Sequence, residues 1–134
     1  MTNDRDKKLF KFLDWEVYKD AQDVFIEVVQ IVRKLPQDLR YTLGSQIIRS
    51  GLSVILNIAE GSGRLTDKEM SRFFDISLGS INETVAGLDC LLKLDCLEEA
   101  IFQRVFQKYK SISRQLGGFK KKLTRDQLQM ANNY

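Results

Sequence analysis

The side chains of this chain that could serve as nucleophiles, bases or metal ligands are few, and their spacing does not bring them together. Histidine is absent, which removes the commonest general base, triad member and metal ligand at once. Cys90 and Cys96 are six residues apart on one expected helix and point in different directions. They read as core fillers or bystanders in a reduced chain, and without histidine partners they cannot make a zinc site. Glu98 and Glu99 are adjacent acids of the kind that decorate a solvated surface. Glu60 and Arg64, four apart, suit an ion pair that stiffens a turn. A di-iron bundle site would need Glu-x-x-His pairs. Gly61-Ser62-Gly63-Arg64 is glycine-rich and precedes a helix, where phosphate can bind. It lacks the preceding strand and the following lysine of a nucleotide loop, so it reads as a helix-ending turn. The expectation is a protein that is not an enzyme, with no cofactor and no metal.

Charge is more informative. The formal net charge is +3, yet its distribution is lopsided. From Asp14 to Ile31 stand Asp14, Glu16, Asp20, Asp23 and Glu27 against Lys19. From Ile101 to Arg125 stand Arg104, Lys108, Lys110, Arg114, Lys120, Lys121, Lys122 and Arg125 with no acid. Such a basic stretch suits a polyanion or an acidic protein partner, or equally a solvated helix face beside an acidic neighbour. Lys and Arg would neutralise phosphates, and no base-reading motif accompanies them.

The elements that must position these residues are helical. The chain has 134 residues, 43% of them hydrophobic and 29% charged, with a single proline, Pro36. That composition fits one domain over 1–134 that can bury a real core. The four periodic segments are 14–34, 39–60, 67–94 and 97–123, followed by a polar, frayed tail over 124–134. Val17, Ala21, Val24, Val28, Ile31 and Leu35 mark the first stripe, and Pro36 ends it. Asp38 is the expected N-cap of the second helix. Its apolar face is Leu43, Ile47, Ile48, Leu52, Ile55, Leu56 and Ala59, and a left-handed glycine in Gly61-Ser62-Gly63 closes it. Thr66-Asp67-Lys68-Glu69 is a capping box for the third helix, which continues through Met70, Phe73, Ser77, Ile81, Leu88 and Leu92. Asp95 and Glu98 offer a second, weaker box. The fourth stripe is Ile101, Val105, Tyr109, Ile112, Leu116, Phe119 and Leu123. Short connections make neighbours antiparallel, so the expected fold is all-α, an antiparallel up-down four-helix bundle. No segment is apolar enough to span a bilayer or to serve as a signal peptide, so no membrane is expected and the cytoplasm is the expected location.

Small residues interrupt two of these helices: Gly44, Ser45, Ser50, Gly51 and Ser53 in one, Ser77, Gly79, Ser80, Ala86 and Gly87 in the other. Glycine inside a helix costs about 1 kcal/mol relative to alanine. Close helix–helix approach, within the bundle or between subunits, would offset that cost.

Three blocks carry a family resemblance: Phe12 to Ala21, Tyr41 to Ser50 continuing through Asn57-Ile58-Ala59-Glu60-Gly61-Ser62-Gly63-Arg64, and Phe73 to Glu83. Over about residues 12 to 123 the chain resembles the four-helix bundle proteins encoded in intervening sequences of bacterial 23S rRNA genes. That family includes the Avd-like accessory proteins of diversity-generating retroelements. The resemblance implies a barrel-shaped homopentamer with a basic surface. In the retroelement branch it implies binding to reverse transcriptase and nucleic acid. It marks Arg49, Asn57, Glu60, Gly61, Arg64 and Glu83. A structural role fits these six: Glu60 and Arg64 locking a turn, and Glu83 pairing with Arg49 across the bundle. The chain departs from the family pattern at Tyr18, where tryptophan is usual, at Ile48, where a second arginine is frequent, and in the stretch Ile55-Leu56 before Asn57, where a proline is. The implied function is a non-enzymatic, oligomeric accessory protein that binds RNA or DNA through its basic surface. The alternative is a protein-interaction scaffold with no direct contact to nucleic acid.

Overall fold

The computed structural model describes residues 9–132; residues 1–8 and 133–134, which include the end of the expected tail, lie outside the described residues. A 3-10 turn, Lys11–Asp14, leads into helix α1, Glu16–Arg33. After Pro36 a helical turn, Gln37–Leu39, runs through a π turn, Arg40–Gly44, into α2, Ser45–Ser62. Helices α3, Asp67–Lys93, and α4, Glu99–Asn132, complete the bundle.

The contacts fix the direction of every helix. Val32 faces Gly44 and Phe25 faces Gly51, so α1 and α2 run antiparallel. Ser50 meets Thr84 while Ser53 meets Ser80, which reverses α3 against α2. Phe74 meets Phe119, whereas Val85, further along α3, lines one groove with Phe106, reversing α4 against α3. Glu27 and Asp20 meet Arg104 and Gln115, closing α4 back onto α1. The fold is therefore the all-α, up-down bundle expected from the periodicity.

The core follows the stripes. Val17, Ala21, Val24, Val28, Ile31 and Leu35 are all buried, as are Val105, Tyr109, Ile112 and Leu116 of α4. On α2 the buried line is Ile47, Gly51, Val54, Ile55 and Ile58. Leu52 and Leu56, expected to face the core, are 40% and 55% exposed. The small residues Ser50, Ser53 and Asn57 take the side of α2 next to α3, and this turns the two leucines outward.

Several local expectations are corrected. Asp38 sits inside the first helical turn and makes no cap bond, because the helix begins immediately after Pro36. There its charge still complements the helix N-terminus. Gly61 and Ser62 are buried within α2, and Gly63 ends the helix with φ −90°, in a right-handed turn closed by a bond from the Gly63 amide to the Glu60 carbonyl. Thr66 caps α3 as expected, its hydroxyl accepting from the Glu69 amide at 3.2 Å. Asp95 starts nothing. With φ 57° it ends α3 in a Schellman turn, in which the Cys96 amide donates to the Leu91 carbonyl and the Asp95 amide to that of Leu92. Cys96 consequently lies beyond α3, and Cys90 is exposed on it. The fourth helix does not fray at Thr124. It runs on to Asn132, since no proline or further glycine follows Gly118, and Leu128 and Met130 are exposed along it. Among the described residues no helix is long and apolar enough to cross a membrane.

Candidate nucleic-acid interface

The eight basic residues proposed as a nucleic-acid surface separate by helical phase. At about 100° per residue, Val105, Tyr109, Ile112 and Leu116 define the buried side of α4. Lys110, Arg114, Lys121 and Arg125 fall within about 60° of one another on the opposite side. Each is exposed, and no ion pair involves any of them among the described residues. The stripe is about 22 Å long.

The other four are turned toward neighbours. Arg104 donates to Glu27 at 2.8 Å, and Lys108 donates to the other carboxylate oxygen of Glu27. Lys120 pairs with Asp75 on α3. Lys122 lies on the α1 side, lining a groove with Asp14, Trp15 and Glu16. Burial pushes the Glu27 carboxyl up, but the hydrogen bonds from Lys108 and Arg104, and their positive charges, outweigh it and hold the group below its ordinary 4.5. Three of the eight cations therefore bind the bundle together: two meet the acidic first helix and one meets α3.

The family-marked residues gather at the α2–α3 seam and its turn. Arg64 pairs with Glu60 and lies over the Phe73 ring at 4.5 Å, an arrangement that gains cation–π energy as well. A Cβ on Gly61 would stand 3.1 Å from the Phe73 Cβ and 3.2 Å from a Phe74 ring carbon, tighter than ordinary contact, so glycine suits this approach. The Asn57 amide donates to the Ser53 carbonyl at 2.8 Å and to its hydroxyl at 3.0 Å. From there a ladder of hydroxyls crosses the seam: Ser53 to Ser80 at 2.8 Å, Ser50 to Thr84 at 2.7 Å, and Ser77 to the Val54 carbonyl at 2.9 Å. Gly44, Ser50, Gly51, Ser53, Ser77, Ser80 and Gly87 thus serve an approach inside the bundle, whereas Ser45, Gly79 and Ala86 are exposed. Arg49 and Glu83 are both exposed, and they do not form the expected ion pair. They stand on the outer sides of α2 and α3, turned out of the seam that the hydroxyls close.

Two features escaped the sequence reading. One is the buried Tyr109 hydroxyl, which has no hydrogen-bond partner within bonding geometry among the described residues. Burial raises its pKa well above the ordinary phenol value, against a weaker lowering by the Thr84 hydroxyl beside it. The other is a groove of about 510 Å³ between α3 and α4, whose lining includes Ile81, Val85, Phe102 and Phe106, with Lys110 at its edge. The rings of Phe102 and Phe106 stack at 6.1 Å. Their i, i+4 spacing, beside the core stripe and not on it, was the signal available. A second depression continues along the same side of α4, lined by Leu78, Gly117, Lys120, Lys121, Thr124 and Arg125.

Comparison with known proteins agrees with this architecture. No curated protein matches the chain. Among the matching solved structures is a protein of unknown function from the S23 ribosomal protein family of Bacteroides thetaiotaomicron. It is 21% identical, with a TM-score of 0.73 over 78% of this chain and 98% of that one, and it supports the fold. The family model described as 23S rRNA-intervening sequence protein matches residues 13–118, from before α1 to the middle of α4, and the chain belongs to that family.

Proposed function

We propose that this protein is a non-enzymatic accessory protein that binds nucleic acid through the outer face of α4. The observation that carries the reading is the stripe of Lys110, Arg114, Lys121 and Arg125, four exposed cations with no acid between them and no ion pair among the described residues. Arg104, Lys108 and Lys120 leave the proposed surface, since each already holds a carboxylate. Four phosphate contacts would give a log–log salt slope of about −3 on a single strand and about −3.6 on a DNA duplex, and contacts to the backbone alone would make binding indifferent to base sequence. The structural neighbour's placement in a ribosomal protein family is in keeping with an RNA ligand. The resemblance extends the reading to a homopentamer working beside a reverse transcriptase. The outward Leu52 and Leu56 of α2 supply an apolar surface for such assembly.

A second reading, a protein-interaction scaffold with no direct nucleic-acid contact, is favoured by the same two leucines, because exposed aliphatic neighbours one turn apart suit a protein partner. Fluorescence anisotropy with labelled RNA and DNA over a salt series separates the two. Reversing Lys110, Arg114, Lys121 and Arg125 to glutamate is expected to abolish binding. Reversing Lys120 should cost less, and part of that cost is its bond to Asp75. Unchanged affinity in the quadruple variant refutes the surface, and a monomeric mass in light scattering refutes the pentamer.

A further inference from the structure

The groove between α3 and α4 and the cation stripe share an edge, and that shared edge restricts the ligand. Lys110 belongs to both: it lines the groove beside Phe106 and begins the stripe that continues to Arg125. At one end the surface is mainly apolar and aromatic, with the stacked rings of Phe102 and Phe106, and Asn82 and Asp89 also line it, the latter paired with Lys93. Its volume of about 510 Å³ lies in the range that admits a small planar group, roughly 300–1,000 Å³. Toward the other end Leu78 and Gly117 keep an apolar floor, and Lys121 and Arg125 join it. A Cβ on Gly117 or Gly118 would meet nothing within 4 Å, so the helix backbone is bare between the two pairs of cations.

Resting on the nucleic-acid reading above, we infer that the α3–α4 groove is a single-strand site, in which an unpaired base enters beside Phe102 and Phe106 while its sugar-phosphate chain runs past Lys110 and over Gly117 to Lys121 and Arg125. A duplex keeps its bases stacked inside and offers only phosphates outward, so it would engage the cations and leave the aromatic groove empty. A single strand satisfies both, because every base has a face to stack and every linkage carries a charge. Lys110 to Lys121 spans about 16 Å along the helix, room for a few nucleotides. A peptide helix could fill the apolar lining, but it would bring no regular row of negative charge to the cations beside it, as a phosphate chain does.

The test is anisotropy of the full chain with three labelled probes of about 12 nucleotides: a single-stranded oligothymidine, the same strand with abasic sites throughout, and a duplex. The abasic strand keeps every phosphate. The expected result is tight binding of oligothymidine, with the abasic strand weaker by about five-fold or more for each base lost from an aromatic face and the duplex weaker as well. Ala86→Gln, at an exposed α3 position lining the groove, narrows it without touching a charge. It is expected to lower affinity for oligothymidine and leave the abasic strand unchanged. Equal binding of all three probes overturns the single-strand site while the cation stripe stands. No binding of any probe overturns both and leaves the groove to a protein partner.

Discussion

Glycine to alanine should have opposite signs at two places in this bundle, and the structure sets both. Gly117 and Gly118 lie in the middle of α4, where an added Cβ would meet nothing within 4 Å. Each replacement by alanine removes a helix-propensity cost of about 1 kcal/mol, so the double variant should gain about 2 kcal/mol. For a chain of this length that is a rise in Tm of roughly 6–10 °C. Gly87 is also helical, but its Cβ would stand 2.6 Å from Cγ1 and 3.2 Å from Cδ1 of Ile47. That isoleucine is buried, and the clashing atom is not the free end of the chain. Overpacking of this kind costs about 1–3 kcal/mol, enough to outweigh the propensity gain and leave Gly87→Ala less stable than the parent. Urea and thermal unfolding followed by circular dichroism at 222 nm, a helix band that tracks the hydrogen-bonded backbone, reads both. A fall in Tm for the Gly117/Gly118 variant would refute the reasoning and mean that another chain covers that backbone. A rise for Gly87→Ala would mean that the α2–α3 approach is looser than described.

Thr84→Val keeps the shape at the seam but takes from Ser50 its cross-helix partner, and a loss of about 1 kcal/mol in urea unfolding is expected. Glu27→Gln leaves Arg104 and Lys108 without a charge partner and should cost about 1 kcal/mol at neutral pH and low salt, less in high salt. Because the Glu27 pKa is depressed in the fold, its contribution is present above about 4.5 and is lost as pH falls through the lower folded value. The Tm gap between wild type and Glu27→Gln should therefore close on acidification. Gly61→Ala forces Phe73 and Phe74 aside and is expected to lower Tm, whereas Gly63→Ala, whose Cβ would meet only a carbonyl at 3.8 Å, should be nearly neutral.

The stripes of α1 and α4 were legible because their period is unbroken from Val17 to Leu35 and from Val105 to Leu116. The face of α2 was less so. Hydrophobicity alone favours Leu52 and Leu56 over Ser50 and Gly51, and what buries the latter pair is the bond from Ser50 to Thr84 and the approach of Phe25 to Gly51, both tertiary facts. Asp95 misled for a related reason: aspartate serves equally as a helix start and as a left-handed helix stop. The basic residues were visible as a list, but their division was not. Whether Lys108 or Lys110 is free depends on where Glu27 sits, and that required the fold.

The hydroxyl seam also implies an order of assembly. Its partners Ser50 and Thr84 are 34 residues apart in sequence, whereas Glu27 and Arg104 are 77 apart. Bringing the nearer pair together closes the shorter loop and so loses less chain entropy. The α2–α3 hairpin should therefore form before α1 meets α4 as the ring closes. In kinetic terms, Thr84→Val should slow refolding, while Glu27→Gln should chiefly speed unfolding.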